Sequence, residues 1–535
     1  MRIALLSWES LHSIAVGGLA AHVSELAAAL SRRGHEVHLF TRMGANQTRY
    51  DFIEGVHYHR CPFDPNCDFV TYVARMCDSI AWHVAETEAH VGRPFDIVHG
   101  HDWLTTQALS RIKNEHRRPV MLTIHSTEFG RCGNAFRGDP TSVRIRHLEW
   151  EGTYIADRVI CVSKALADET QWCYGVPGDK LSVVYNGVDV GKYDTAVDVR
   201  ATRRRYDVGV DDPMILFAGR MAWQKGPDML LETVPSLRAE HPRTKVVFAG
   251  DGDMRAGLED RAGAIGSNGT TRFVGYQTGQ PLIDLFKSSD VVCVPSRNEP
   301  FGIVILEAWS AAKPVVATRT GGPKEFVTEN ETGIIVDLSV EELRSGLGRL
   351  LADRSGAERM GRNGRREAER RFTWDHAASI TEGLYEVSRR GADDPAYRLG
   401  TTGHASPADD APHGEDANDP LMGKIRERAQ RVYAERIRDG RPGTPQSDWL
   451  QAEREIRGKE DGSYQRTTRG ERRPSATAAT SPGSGVSPPA KSRRRASRTV
   501  VTPSDRFHST GVPGQTGDTP CEEDGVVGAG SLRRI

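Results

Sequence analysis

The chain reads as an α/β protein built from two doubly wound domains, each a parallel sheet covered by helices on both faces. Three observations point there. Short apolar runs stop at a polar residue or a glycine, they alternate with stretches whose apolar residues recur at helical spacing, and the alternation begins afresh after about residue 190. At 535 residues the chain has room for both cores and for more besides.

Taken in order, RIALLSW is the first strand. The turn Gly17-Gly18 follows, then AAHVSELAAALSRRG, whose apolar positions fit one helix face and whose Gly34 ends it. EVHLFTR, DIVHGH, PVMLTIH and DRVICVS continue the first sheet. After VVYNGVD and an Arg-rich stretch, MILFAGR, KVVFAGDG, TRFVGY, DVVCVPS and KPVVAT form a second set. The boundaries fall at 1–195 and 196–390. Residues 391–420 are rich in Asp, Pro, Gly and His, which predicts a linker. Residues 421–460 predict a small helical unit, with Ile425, Ala429, Val432 and Tyr433 on one face and a second helix around Trp449, Leu450 and Ile456. Ser, Thr, Pro and Arg dominate 461–535, which predicts disorder.

Composition removes several function classes. Lys and Arg number 71 against 72 Asp and Glu, so bulk charge predicts no nucleic-acid partner. The eight cysteines form no C-x-x-C pair and read as reduced thiols. MRIALLSWE meets the acidic Glu9 too early for a signal-peptide core, and no apolar run approaches membrane-spanning length. A soluble, cytoplasmic protein is expected. KSRRRASR in the tail offers a weak site for an anionic partner, although a plain solvated tail is the ordinary reading.

Ligands of open parallel sheets lie beyond the carboxyl ends of the strands. His99, His101 and Asp102 end one strand and His125 ends the next. One strand-end histidine is commonly structural, but neighbouring ends that all carry polar groups suggest a cleft. Gly17 and Gly18 precede a helix N-terminus, where backbone comes close and N–H groups meet an anion. In FAGRMAWQKG, Arg220 and Lys225 stand five residues apart between a strand and a helix, a spacing suited to a diphosphate. The turn GDGD, with Gly250, allows another close approach.

The stretch NEPFGIVILE places Glu299 and Glu307 around four consecutive aliphatics. Pro300 suits the first helical position, so the helix is expected to start there, with Glu299 just outside and Glu307 two turns in. The carboxylates then differ by roughly 12 Å along the axis, or less if the loop folds back. That is the scale of a nucleotide sugar, whose sugar and ribose hydroxyls suit carboxylate acceptors.

These glutamates match the E-x7-E signature of retaining glycosyltransferases, and the chain resembles the large family 4 over residues 1 to about 390. GGLAAHVSELAAALSRRGHEV, ADRVICVSKALADE, VVYNGVD, FAGRMAWQKG, FAGDGDMR, FVGY and the glutamate pair follow the family's order. The resemblance implies a GT-B fold, two Rossmann-like domains facing across a cleft, with no catalytic metal and no cofactor beyond a nucleotide-sugar cosubstrate. It implies donor contacts from Gly17, Gly18, Arg220, Lys225, Gly250, Glu299, Phe301, Gly302 and Glu307. His125 would meet the transferred sugar, and Arg220, Lys225 and Glu299 would complete the catalytic set.

HGHDWLT resembles the acceptor-side HxHDW segment of bacterial glycogen and starch synthases, placing His101 and Asp102 on the acceptor side. Those enzymes carry a lysine two residues before the glycine pair, where Ala15 stands here. The expected activity is hexosyl transfer, with glucosyl favoured, to a glycan or small hydroxyl acceptor, an α-glucan included. Mannosyl transfer from GDP-mannose is the nearest alternative. A nucleotide-sugar 2-epimerase would need an acid and a base at the sugar C2, and a noncatalytic sugar-binding protein would need a degenerate site. Residues 421–458 resemble a small bacterial domain of unknown function and are assigned no catalysis.

Overall fold

The computed structural model describes residues 1–393 and, between 424 and 456, only 424, 425, 427–429, 431, 432, 435, 436, 448, 451, 452 and 454–456. The expected linker beyond 393, Tyr433, Trp449, Leu450 and the tail 461–535 lie outside the described residues.

The first sheet contains β1 (Arg2–Ser7), β2 (Glu36–Arg42), β3 (Tyr50–Ile53), β4 (Val56–Cys61), β5 (Ile97–His101), β6 (Val120–Ile124), β7 (Arg158–Cys161) and β8 (Leu181–Val183). Their spatial order is β3-β4-β2-β1-β5-β6-β7-β8, parallel except for β3. The second sheet contains β9 (Met214–Ala218), β10 (Lys245–Ala249), β11 (Thr271–Gly275), β12 (Val291–Val294), β13 (Val315–Thr318) and β14 (Gly333–Val336), ordered β11-β10-β9-β12-β13-β14. β1, β5, β6 and β12 are buried along their whole length, as continuous apolar runs between two helical layers must be. The two Rossmann-like bodies expected from the alternation are present.

Four strands escaped the sequence reading. β3 and β4 form an edge hairpin whose turn residues Glu54 and Gly55 have φ of +51° and +79°, the left-handed pair a two-residue hairpin needs. VHYHRC alternates histidines with apolar residues, so it lacks the apolar run that marked its neighbours. β8 and β14, of three and four residues, are too short to show a period.

The last long helix, Trp374–Asp393, leaves the second body and packs along the first helix, Gly18–Arg32. Arg33 pairs with Glu382 at 2.6 Å, and the Tyr385 hydroxyl meets His99 Nδ1 at 2.7 Å. The helix runs three residues into the segment read as linker. Farther on, Ile425, Ala429, Val432 and Ala452 form a small buried cluster. Arg436 Nε donates to Asp448 at 2.8 Å, and Asp448 also accepts from the Tyr154 hydroxyl, which ties this unit to the helix Pro140–Ile155.

Histidines cluster where β2 and β4 meet: His38, His57 and His59 stack, and His38 Nδ1 lies 2.9 Å from His59 Nε2. Burial pushes His59 down to about 3 and His38 to about 4. Below the unfolded value of about 6.5 the unfolded chain takes up a proton that the folded ring refuses, so each ring costs stability as pH falls. Buried carboxyls such as Glu307, held at raised pKa, act in the opposite sense, so a variant isolates the ring. His59→Phe keeps the stack on Phe40 (4.4 Å). Its stability relative to the parent should rise between pH 6.5 and 5, by up to about 1.4 kcal/mol per pH unit, in chemical denaturation.

Candidate active site

Each sheet reverses its strand order once, between β1 and β5 in the first and between β9 and β12 in the second. In open parallel sheets the crevice beyond the strand ends at that reversal receives ligands. The residues singled out from sequence leave those strand ends. β1 leads to the Gly17-Gly18 turn, β5 to Asp102 and β6 to His125; β9 leads to Arg220 and Lys225, and β12 to Glu299.

In the first body the glycine turn is already occupied. Glu9, 4% exposed, accepts from the N–H groups of Val16 and Gly17, the latter at 2.9 Å. Burial raises the Glu9 pKa, with these hydrogen bonds opposing. The expectation that the turn offers free N–H groups is corrected for these two. Gly18 is the first residue of its helix, and a Cβ there would lie 3.5 Å from Ile303 Cδ1. Ile303 is itself the first residue of the helix Ile303–Ser310 in the second body. Two helix N-termini, one from each body, therefore meet across the cleft.

Beneath this point sits a histidine cluster. His99 is satisfied on both nitrogens, by Tyr385 and by Thr123, each at 2.7 Å, and is structural. His101 is fully buried, with Nδ1 3.1 Å from His125 Nε2. Asp102 adopts φ +58°, and its Oδ1 accepts from the His125 N–H at 2.7 Å. Burial pushes Asp102 up to about 6. His101 and Asp102, expected on the acceptor side, both contact His125, His101 at the ring and Asp102 at the backbone N–H. Burial pushes His125 down to about 3, so the ring is neutral at physiological pH. The sequence reading missed His22, whose ring centroid is 4.4 Å from that of His125 and whose Nδ1 meets Asn186 Oδ1 at 2.8 Å. Its signal was its place one helical turn after the glycine pair.

In the second body Lys225 and Glu299 are partners. Lys225 Nζ lies 2.9 Å and 2.8 Å from the two Glu299 oxygens, and Ser296 Oγ donates to Oε2 at 2.8 Å. Glu299 is 4% exposed, so this pairing is what permits its burial. Arg220 is lowered by burial and then by the nearby Arg131, with Asp253 and Glu9 opposing. Arg131 was not foreseen. Burial alone would lower it, but Glu149 at 2.6 Å and Glu128 at 3.1 Å hold its pKa raised.

The helix after Glu299 starts at Ile303, not at Pro300. Gly302, at φ +102°, lets the chain turn back first, and the Glu299 carbonyl accepts from Gly322 N–H at 2.8 Å. The Phe301 side chain is 2% exposed and packs on Tyr185, Phe326 and Phe372, so its ring belongs to the core. Glu307 does meet a partner, the Tyr193 hydroxyl. Burial pushes its pKa up to about 7 and that hydrogen bond restrains the rise. Tyr193, in the short turn Val190–Asp194, gave no sequence signal.

Contacts between the bodies ring the cleft. Ser163 Oγ donates to the Pro300 carbonyl at 2.6 Å, and Asn298 Nδ2 to Asn134 Oδ1 at 2.8 Å. Glu325 accepts the Lys164 and Ala165 N–H groups at 2.9 and 2.7 Å, at the N-terminus of the helix Lys164–Tyr174.

Residues 16–192 match the family described as Glycosyltransferase Family 4, and residues 198–367 match Glycosyl transferases group 1. The chain is 36% identical over 396 residues to an uncharacterized glycosyltransferase of Methanocaldococcus jannaschii, covering 72% of this chain and 98% of that protein. It is 30% identical over 428 residues to a glycogen synthase of Mycobacterium tuberculosis, covering 76% of this chain and all of that protein. Among solved structures, the sucrose-phosphate synthase of Thermosynechococcus elongatus shares the fold with a TM-score of 0.61 at 23% identity, covering 73% of this chain and 99% of the other. No helix among the described residues is long and apolar enough to cross a membrane.

Two of the glycines respond differently to a side chain. At Gly250, with φ +146°, a Cβ would sit 1.9 Å from the Gly219 carbonyl oxygen, so the tips of β9 and β10 must part to admit it. At Gly17, with φ −155°, the nearest atom would be 3.8 Å away. Gly250→Ala should lower unfolding free energy by about 2 kcal/mol or more, and Gly17→Ala by well under about 1. Urea titration of both variants checks this.

Proposed function

The chain belongs to the GT-B glycosyltransferases of family 4, enzymes acting on nucleotide sugars, and from that premise we propose that it moves a hexosyl group, glucosyl first, from a nucleoside-diphosphate sugar to a glycan or small hydroxyl acceptor with retention at the anomeric carbon. The observation that carries the reading is the approach of two helix N-termini at Gly18 and Ile303, with Arg220 and Lys225 in the loop that follows β9. Amide dipoles and cations aimed at one point favour a diphosphate, and favour it more as negative charge develops on it.

In this mechanism the bond from the anomeric carbon to the diphosphate oxygen breaks first, leaving an oxocarbenium-like sugar. The acceptor oxygen bonds to the same face, and its proton passes to the departing phosphate oxygen. Arg220 stabilises the leaving group. The Lys225 ammonium has three donors, of which Glu299 engages part, and the remainder meets a phosphate oxygen. Glu299 accepts from sugar hydroxyls, neutral His125 faces the transferred sugar, and Glu307 accepts from the ribose diol. The likeness to a glycogen synthase supports an α-glucan as the first acceptor to try.

Two tests follow. Nucleoside diphosphate release should occur from one member of a UDP-, ADP- and GDP-sugar panel and be stimulated by acceptor. Arg220→Ala and Glu299→Ala should each lower it by about a hundredfold or more. Release from no donor would overturn the reading. The second test uses Glu307, whose raised pKa leaves the carboxyl protonated below about 7. Affinity for the nucleotide should therefore fall on acidification from pH 8 to 6 by up to about tenfold more in the parent than in Glu307→Gln, as calorimetric titration would read.

A further inference from the structure

The cluster under the cleft has a chemistry that glycosyl transfer leaves unexplained. One ring nitrogen from each of His22, His101 and His125 lies within 4.8 Å of the others. The ring centroids are 4.4 Å apart for His22 and His125, 5.2 Å for His22 and His101, and 5.4 Å for His101 and His125. The three rings arrive from the first helix and from the ends of β5 and β6, so the backbone of the fold fixes their convergence. His22 is 6% exposed and His101 fully buried, and Nε2 of each has no hydrogen-bond partner. A buried imidazole nitrogen without a partner is costly, and two in one cluster point to a missing third party.

The surroundings fit a ligand set. With Nδ1 of His22 donating to Asn186 Oδ1, its tautomer leaves a bare lone pair on Nε2. A metal-ligating histidine commonly has this outer partner on its other nitrogen. Asp102, bonded to the His125 backbone N–H, places a carboxyl next to the cluster. His125 is partly exposed where the other two are buried, so a fourth position would open to the cleft. Three neutral nitrogen donors with one open position suit a borderline dication. Tetrahedral zinc with bonds of about 2.0–2.1 Å needs nitrogens about 3.4 Å apart. One nitrogen from each of the three rings already lies within 4.8 Å of the others. Modest side-chain rotation would close the site.

We propose that His22, His101 and His125 bind a single zinc-class dication at the floor of the cleft. Such an ion occupies the ring that meets the transferred sugar, so it acts as a competitor of the donor and not as a catalyst. The competition rests on the function proposed above; the binding does not.

The full chain, stripped with a chelator, should take up one Zn2+ in calorimetric titration and, loaded with Co2+, show visible d–d bands of four- or five-coordinate cobalt. His22→Gln and His101→Gln should each weaken Zn2+ at least about a hundredfold, while His57→Gln on the sheet edge leaves it unchanged. Should either ligand variant misfold by circular dichroism, Asn186→Ala, which removes only the outer partner, should weaken Zn2+ by about ten- to a hundredfold. Binding that persists in the variants at parental strength, or cobalt with the pale spectrum of the hexaaqua ion, overturns the proposal. Both readouts are made without donor or acceptor, so they stand apart from any failure of transferase activity. Given activity, Zn2+ should raise KM for the donor with little effect on kcat.

Discussion

The cleft depends on one buried ion pair. Glu299 lies almost wholly out of water, and a carboxylate there is tolerable only because Lys225 and Ser296 surround it. That pair fixes more than its own two side chains. The Glu299 carbonyl is held by Gly322, the next carbonyl, of Pro300, accepts from Ser163 in the first body, and Phe301 is driven into an aromatic cluster with Tyr185 and Phe372. The loop that contacts the sugar in the proposed function is therefore also the seam between the two bodies. Loss of either charge would strand the other in a low-dielectric site and loosen the seam, so charge-reversing or neutralising changes there reach beyond the contact itself.

Much of this was legible because the physics involved is local. Strands buried on both faces are rich in apolar residues, and ten of the fourteen strands among the described residues were read from such runs. The candidate site residues sit at their carboxyl ends, where Arg220, His125 and Glu299 stand out against the runs that precede them. What escaped was either short or nonlocal. The hairpin of β3 and β4 is written in the left-handed Glu54-Gly55 pair and alternating histidines, and β8 and β14 have too few residues for a period. The helix start shifted from Pro300 to Ile303 because Gly302 and the Gly321-Gly322 turn, twenty residues on, fold the loop back. Tyr193 and Arg131 matter through partners that no spacing rule reaches, and His22, although one turn after the glycine pair, through the distant Asn186.

The histidines of the first body show how one pattern conceals different roles. His99, His101 and His125 look alike as strand-end residues. Only the fold separates them: His99 has two partners, His101 shares one contact with His125, and His125 faces the opening. Burial lowers the pKa of all three, which removes charge from the floor of the cleft, while beside it Arg131 is matched by Glu149 and Glu128 and Lys225 by Glu299. In the proposed function a neutral floor suits the uncharged sugar, and Arg220 draws the diphosphate to the side.

Glu9 sharpens that picture. It holds the Val16 and Gly17 amides that a diphosphate would otherwise claim, so in the proposed function the first body contributes mainly the Gly18 end of its helix and not the whole turn. A carboxylate so placed would repel the diphosphate if ionised, yet burial already raises its pKa. In the proposed function an arriving diphosphate would push it further in the same direction by Coulomb repulsion, so donor binding and proton uptake at Glu9 favour one another. The charge balance of the cleft is thus set by protons as well as by Arg220 and Lys225.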